Sequence, residues 1–163
     1  MKVKLQVATQ EDAADLVALN IAVNDDLAVR FGGKAEHPTE KGVLFRMTRG
    51  TIYLARHRKK PIATLTLTTR KPWAIDRSYF TPVKRPLYLI GMAVHPEMQR
   101  RGVGRDCLEQ AVRLARDWPA DSLCLDAFAS ANGAGPFYDK CGFREVGRAT
   151  YRVAPLIYFE MLL

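Results

Sequence analysis

Residues 99–105 combine two glycines with three arginines, between an apolar run that ends at Pro96 and an amphipathic helical pattern. A chain that leaves a strand through a glycine-containing turn into a helix presents several unpaired backbone N–H groups at one point. The helix dipole adds roughly half a positive charge there, and the two effects together favour phosphate binding. The residue types and their spacing therefore predict a site for a ligand that carries a pyrophosphate.

Two other phosphate-binding motifs do not fit this segment. A P-loop requires the string G-x-x-x-x-G-K-[ST], which the chain lacks. The dinucleotide-binding fingerprint requires a third glycine and an acidic residue after the next strand, and neither is in place. Two glycines alone could be ordinary turn residues. Whether the segment is a phosphate site therefore depends on the strands and helices around it.

Hydrophobic periodicity predicts the elements that position this turn. Apolar runs predict strands at Val3–Val7, Thr51–Arg56, Ile62–Thr69, Leu87–Val94, Ser122–Phe128, Glu145–Tyr151 and Leu156–Leu162. Helical spacing predicts a helix capped by Thr9, a second helical region over Asp26–Phe31 and Thr39–Arg49, a helix from the turn to Trp118, and a short one at Pro136–Cys141. The order β-α-α-β-β-β-α-β-α-β-β predicts a mixed-sheet α/β domain, in which the crossover rule makes Ser122–Phe128 parallel to the strand before it.

Length and composition narrow the class of protein. At 163 residues the chain fits one domain, 1–163, that buries roughly two thirds of its unfolded surface. Three cysteines without a C-x-x-C pair argue against a disulfide framework or a metal site and fit a reducing cytoplasm. Without a signal peptide or an apolar run near ~20 residues, we expect no membrane span. The net charge of +8 is dispersed, which argues against nucleic-acid binding and favours encounter with a phosphorylated cofactor.

Two blocks carry a family resemblance. Met92–Pro96 followed by Gln99–Arg105 resembles the acyl-CoA-binding signature of the GNAT superfamily of N-acetyltransferases, whose core reads (Q/R)-x-x-G-x-(G/A). Asn132–Phe143 resembles the later motif of that superfamily, N-x-x-A-x-x-F-Y-x-x-x-G-F. The predicted elements match the superfamily's order over nearly the whole chain. The resemblance implies a GNAT-type mixed, mostly antiparallel central sheet flanked by helices.

The resemblance also implies acetyl-CoA as the co-substrate, with no metal. The strand end would hold the pantetheine arm and the acetyl carbonyl, the turn would wrap the pyrophosphate, and later residues would contact the cofactor near the thioester and along its length. The family splays this strand from its neighbour, and the strand-interior Gly91 is compatible with that. The implied cofactor-binding residues are Met92, Ala93 and Val94; Arg100, Arg101, Gly102, Val103, Gly104 and Arg105; and Asn132, Phe137 and Lys140.

Tyr138 is the expected general acid. Amide formation expels CoA as a thiolate, and a phenol within hydrogen-bond reach can protonate it. In ribosomal-protein acetyltransferases of this superfamily the base is a carboxylate twelve residues earlier, which corresponds to Asp126. An aspartate there could instead bond backbone groups at the strand end. His95, at a neighbouring strand end, is the other candidate. Asp25 and Asp26 could line the substrate side, because the early helices of this fold overhang the acceptor site.

The chain departs from the family pattern at one position. The motif has asparagine seven residues before the tyrosine, whereas Asn132 lies six before Tyr138. Either Ala131 takes that place or the turn is one residue tighter. Cys141 is interpreted as a small buried hydrophobe, because nothing near it in sequence would stabilise a thiolate. Direct transfer is therefore preferred over an acyl-enzyme.

The expected function is acetyl-CoA-dependent transfer of an acetyl group to a primary amine of a small molecule or peptide in a ternary complex. The alternatives are a non-catalytic acyl-CoA-binding or sensing module and a tRNA-acetylating toxin, which salt-dependent RNA binding would favour. The long connection 70–86, with Trp73, Tyr79 and Phe80, could wall the acceptor site or simply pack its aromatics over the sheet. The final strands could pair between subunits as a homodimer.

Overall fold

The computed structural model describes residues 1–130 and 132–163. Its strands are β1 Leu5–Val7, β2 Thr51–His57, β3 Lys60–Thr68, β4 Pro86–Val94, β5 Ser122–Phe128, β6 Arg144–Tyr151 and β7 Ala154–Leu162. Its α-helices are α1 Ala13–Phe31, α2 Glu40–Met47, α3 Val103–Asp117 and α4 Gly135–Lys140. No helix in this described part of the chain is both long and apolar enough to cross a membrane.

The seven strands form one sheet in the order β1-β2-β3-β4-β5-β7-β6. The β4–β5 pair is parallel, and the β1–β2, β5–β7 and β6–β7 pairs are antiparallel. The predicted element order and the mixed, mostly antiparallel sheet flanked by helices are therefore confirmed.

Two details of the predicted elements are wrong. The segment Asp26–Phe31 is not part of a second helical region but the end of α1, which runs unbroken until Gly32. Gly32 has a φ of +79° and donates its N–H to Ala28 O at 2.8 Å, which ends the helix. The turn between β2 and β3 is also shorter than predicted, because Arg58 and Lys59 both adopt positive φ and close a tight hairpin.

The chain divides into two compact units, the first comprising 1–66 and 91–110 and the second 67–90 and 111–163. In the first unit, apolar residues of α1 and α2 pack on β2; the fully buried members include Leu16, Leu19, Val43 and Leu54. Ala93 packs against this cluster while remaining partly exposed. The core of the first unit therefore fixes the strand end that precedes the glycine turn.

In the second unit, β5 pairs with β7 along its whole length, from Ser122 opposite Leu162 to Phe128 opposite Leu156. Its parallel register with β4 joins Pro86–Tyr88 to Ser122–Cys124, three of the nine residues of β4. The carboxyl end of β5 is therefore paired with β7.

The connection 70–86 covers one face of this part of the sheet. Ile75 and Phe80 are buried in a cluster with Tyr158, whereas Trp73 is 84 % and Tyr79 41 % exposed. Packing on the sheet is therefore confirmed for Ile75 and Phe80, whereas a role of the exposed Trp73 and Tyr79 in the acceptor site stays a prediction.

A buried carboxylate ties this connection to β7. The Glu160 side chain is 1 % exposed, and its Oε1 accepts hydrogen bonds from the Thr81 N–H at 3.2 Å and the Thr81 hydroxyl at 2.8 Å. The Arg144 guanidinium donates to the same oxygen at 3.1 Å. Burying a carboxylate is unfavourable without such partners, so these bonds fix the end of the connection in one place.

Candidate active site

The predicted phosphate turn forms at residues 99–102, directly before α3. Gly102 has a φ of +81° and Arg100 a φ of +58°, and the left-handed region favours glycine. The Asp106 N–H donates to Gly102 O at 3.0 Å, which closes the first turn of the helix. The N–H groups of residues 103–105 precede the first donors that can bond within α3. The turn therefore offers these donors, together with the helix dipole, to an anion.

The strand that leads into this turn is irregular at Gly91, where φ is +60°. Beyond it, Met92, Ala93 and Val94 are each half-buried. The side-chain amide of Gln99 donates to Val94 O at 3.1 Å and so ties the turn to the strand end. In the first unit, residues 92–94 and the turn therefore lie next to each other. These are the two segments whose backbone groups are predicted to contact the cofactor.

Polar side chains of α3 fix its first turns against the segment before β1. The Asp106 carboxylate accepts from the Val3 N–H at 2.7 Å and from Lys2 Nζ at 3.3 Å, while Gln110 donates to Val3 O at 2.7 Å. Burial opposes ionisation of Asp106, but the hydrogen bonds from Val3 and Lys2 outweigh it and lower the pKa of the carboxyl. These contacts hold the helix start that presents the N–H donors.

The three arginines of the turn are exposed. Arg105 Nε lies 3.4 Å from Glu109 Oε1, one helical turn away. Among the described residues no ion pair engages the guanidinium of Arg100 or Arg101. Of the two side chains expected at the adenosine phosphates, Arg100 is therefore the one whose charge is not offset within the chain.

The alternative base candidate His95 and the two aspartates expected on the substrate side have other partners in the first unit. His95 Nδ1 accepts a backbone N–H of the following 3-10 turn at 3.2 Å. Asp25 Oδ1 lies 2.7 Å from His37 Nε2, and Asp26 Oδ2 lies 3.0 Å from Arg30 Nε. Each of these groups already takes part in a local contact, which favours Asp126 among the candidates.

In the second unit, Tyr138 lies on α4 and is 7 % exposed. Its ring contacts those of Phe137, Phe143 and Phe159, with centroids 5.2, 6.0 and 5.9 Å away. Burial raises the pKa of the Tyr138 phenol, and the negative charge of Asp126 raises it further. The phenol is therefore protonated throughout the neutral pH range.

Asp126 lies near the carboxyl end of β5, opposite Tyr158 of β7. Directly opposed residues point to the same face of a sheet, and neighbours along a strand alternate between faces. Asp126 therefore shares its face with Tyr158, whereas Tyr138 packs on Phe159 of the opposite face. Burial raises the pKa of the half-buried Asp126 carboxyl. The second unit thus brings a carboxyl with raised basicity within electrostatic reach of a protonated phenol.

The remaining predicted cofactor contacts lie around α4. Asn132 and Lys140 are exposed, and Phe137 is half-buried. The turn before the helix is tight, because a Cβ at Gly133 would lie 2.5 Å from Phe128 O. Ala131, the other candidate for the asparagine place of the motif, lies outside the described residues.

The second unit contains a cleft of about 830 Å³, most of which was not predicted from the sequence. It is lined by residues of the 70–86 connection and of the β6–β7 hairpin, including Trp73, Asp76, Tyr79, Arg148 and Tyr151. The aromatic residues of the long connection were the signal for Trp73 and Tyr79. For Asp76, Arg148 and Tyr151 there was no signal in the sequence, because their approach depends on the register of the hairpin.

Among the described residues, no group of three or more His, Cys, Asp or Glu side chains could hold a metal ion.

Comparison with known proteins gives a consistent result. The family model described as Acetyltransferase (GNAT) family matches residues 18–143. An N-acetyltransferase from Staphylococcus aureus superposes with a TM-score of 0.73 at 16 % identity over 99 % of both chains. An acetyltransferase of the GNAT family from Streptococcus pneumoniae gives 0.74 at 19 % over 99 % of both chains. The ribosomal-protein alanine N-acetyltransferase from Escherichia coli gives 0.71 at 18 %, over 98 % of this chain and 93 % of the other. These identities show the fold alone, and no curated protein matches the sequence.

Proposed function

Because the chain belongs to the acetyltransferase (GNAT) family, and is thus an enzyme that transfers an acyl group to an amine, we propose that its donor is acetyl-CoA. The observation that carries this proposal is the turn at 99–102. Its left-handed Gly102, the helix start behind it and three exposed arginines suit a pyrophosphate. The backbone N–H groups of residues 101–105 bind the diphosphate, and Arg100 or Arg105 binds the adenosine phosphates.

The strand end before the turn orients the thioester. Backbone groups of Met92, Ala93 and Val94 hold the pantetheine arm and the acetyl carbonyl. An N–H near Ala93 stabilises the oxyanion that forms when the amine attacks, and preorganised donors of this kind contribute strongly to catalysis. Asn132, Phe137 and Lys140 bind the cofactor further along its length.

The second unit supplies the proton transfers. A lysine-like amine is protonated at pH 7, and freeing it costs roughly 4–5 kcal/mol. Asp126 accepts that proton, and the free amine adds to the thioester carbonyl, which forms the C–N bond and the oxyanion. As this intermediate collapses, the C–S bond breaks and the nitrogen releases its second proton, which replaces the proton that Tyr138 gives up. Tyr138 donates its proton to the departing thiolate. Transfer is direct, within one ternary complex.

Two measurements test this proposal. Isothermal titration calorimetry with CoA and with adenosine separates recognition of the phosphates from recognition of the base. We expect saturable binding of CoA and none of adenosine at the same concentrations. Release of CoA thiol is then followed across amines, amino acids, aminoglycosides, polyamines and peptides. A protein that does not bind CoA would contradict the proposal.

The same measurements address the alternatives. CoA binding with acetyl-CoA hydrolysis, but no turnover of any acceptor, would favour a non-catalytic sensing module. Strong salt-dependent binding of tRNA would favour a tRNA-acetylating toxin. The cytoplasmic location and the homodimer inferred from the sequence remain predictions, which cell fractionation and analytical ultracentrifugation would test.

A further inference from the structure

The cleft in the second unit combines an exposed indole with a lining of aromatic, aliphatic and charged residues. Trp73 is 84 % exposed, although a tryptophan normally buries most of its large surface. It faces a cleft that Tyr79, Tyr151 and Leu156 also line. Aromatic residues that converge on one cavity of this size are typical of a site for a small organic ligand.

The walls of the cleft are held in place by specific contacts. The register of β6 shifts between Glu145 and Gly147, and a Cβ at Gly147 would lie only 2.3 Å from the Tyr79 ring. Tyr79 therefore lies directly on the backbone of β6, with its ring 5.3 Å from that of Tyr158 and nearly perpendicular to it. The Tyr158 hydroxyl donates to Ala74 O, which anchors the connection that carries Trp73.

The acidic residue of the cleft lining, Asp76, can attract a cation, although the charge of Lys71 also acts on it. Hydrogen bonds from the hydroxyl and the N–H of Ser78 lower the pKa of the Asp76 carboxyl, which is therefore ionised at neutral pH. Among the described residues Asp76 forms no ion pair. Arg148, the basic residue of the lining, has its Nε 2.7 Å from Glu145 Oε1, so the charges of that pair offset each other.

The cleft and the candidate base are on the same face of the sheet. Tyr158 lines it, and Asp126 is the residue directly opposite Tyr158 in the β5–β7 register. Opposed residues share one face of the sheet, so the Asp126 carboxyl belongs to the face on which the cleft opens. An amine bound in the cleft is therefore on the same face as the group that would deprotonate it.

We propose, on the basis of the function proposed above, that this cleft binds the acceptor and that the acceptor is an arylalkylamine. Its flat apolar body lies between the Trp73 indole and the apolar residues of the β6–β7 hairpin. Its ammonium group is attracted by the Asp76 carboxylate and by the faces of the aromatic rings, an attraction that aromatic residues offer to cations. A carboxylate on the acceptor is disfavoured, because Asp76 would repel it.

Binding is tested without turnover by intrinsic fluorescence. The chain has two tryptophans, so the Trp118→Phe variant reports on Trp73 alone and the Trp73→Phe variant on Trp118 alone. Titration with 2-phenylethylamine is expected to give a saturable change in the first variant and none in the second. Calorimetry of the Trp73→Ala variant is expected to show about tenfold weaker binding of the amine.

The choice of ligands tests the chemical class. We expect 2-phenylethylamine to bind more tightly than phenylalanine, which adds a carboxylate, and than putrescine, which lacks the ring. Asp76→Asn keeps the shape and an oxygen that can accept from Ser78. It is expected to weaken 2-phenylethylamine about fivefold and to leave the neutral 2-phenylethanol unchanged.

The outcomes separate this inference from the proposed function. Binding at Trp73 without acetylation of the bound amine would support the cleft and contradict acetyl transfer to it. Acetylation of other amines, with no Trp73 response to 2-phenylethylamine, would overturn the inference and leave the enzyme's function standing. Equal affinity of the wild type and Asp76→Asn for the amine, or tighter binding of phenylalanine, would overturn the assignment of a cationic acceptor.

Discussion

The turn at 99–105 and the pair formed by Asp126 and Tyr138 perform their proposed roles in different ways. The turn acts through backbone N–H groups and a helix dipole, so its chemistry depends on conformation and on Gly102 in particular. The pair acts through two side chains whose pKa values are shifted by burial. We therefore expect substitutions in the turn to cause a graded loss of binding, and loss of the proton acceptor or donor to cause a larger loss of rate.

The largest effect is expected at the base. Asp126→Asn removes the carboxylate that accepts the ammonium proton while keeping its size, and kcat is expected to fall about 100-fold or more. Steady-state kinetics measures kcat, and calorimetry should show unchanged acetyl-CoA affinity. Asp139→Asn, on the exposed side of α4, is the matched control. Equal activities of the two variants would remove Asp126 from the mechanism.

The sequence predicted the turn better than the pair, for a physical reason. A left-handed position needs glycine, and a helix start needs a recognisable apolar stripe, so both Gly102 and α3 are visible in the amino-acid pattern. The shared environment of Asp126 and Tyr138 depends on strand register and on which face each side chain occupies. Neither feature is encoded in the local sequence. The only signal was that Asp126 lies twelve residues before Tyr138.

One helix boundary was also wrong. The prediction placed Asp26–Phe31 in a second helical region, yet α1 continues to Phe31 because no proline or glycine interrupts it before Gly32. The cleft was beyond prediction because the β6–β7 hairpin and the 70–86 connection are far apart in sequence. Contacts of long sequence separation were thus the part that the chain's local patterns did not reveal.

Loss of the acid is expected to have the next largest effect. Tyr138→Phe removes only the hydroxyl, so the aromatic contacts with Phe143 and Phe159 can persist. We expect kcat to fall tenfold or more, with acetyl-CoA affinity retained. Tyr53→Phe, at another buried tyrosine on β2, controls for loss of a buried hydroxyl. A kcat equal to that of the control would assign Tyr138 a packing role.

A backbone change should affect the turn by a smaller amount. Gly102→Ala places a side chain at a φ of +81°, which costs about 1–2 kcal/mol and displaces the N–H donors. Acetyl-CoA affinity is expected to fall about tenfold, with kcat at saturation nearly unchanged. Gly32→Ala is the control, because Gly32 has a φ of +79° at the end of α1 and no atom within 4 Å of an added Cβ. Equal acetyl-CoA affinities of the two variants would show that the position of Gly102 in the turn has no specific effect on binding.

The smallest expected effect, on stability, distinguishes the two regions by its sign. The pKa of Asp126 is raised in the folded state, so its stabilising contribution is present below the unfolded pKa of about 3.9 and is lost as pH rises through the folded value. The pKa of Asp106, beside the turn, is lowered, because its hydrogen bonds outweigh the effect of burial. Its contribution is therefore present above the unfolded pKa and is lost as pH falls through the folded value.

The same substitution should consequently have opposite effects at pH 7. Asp126→Asn removes a charge that burial disfavours, and we expect the melting temperature to rise by a few degrees at most. Asp106→Asn weakens the hydrogen bonds from Val3 and Lys2, and we expect the melting temperature to fall. Thermal unfolding followed by circular dichroism at pH 7 and near pH 4 measures both. The Asp126 difference should shrink at the lower pH, because the raised pKa lets that carboxyl gain a proton there, whereas the Asp106 difference should largely persist, because the lowered pKa keeps that carboxyl ionised. A fall in stability for both variants at pH 7 would mean that Asp126 is held by contacts like those of Asp106, and that its carboxylate is a structural anchor rather than a base ready to accept a proton.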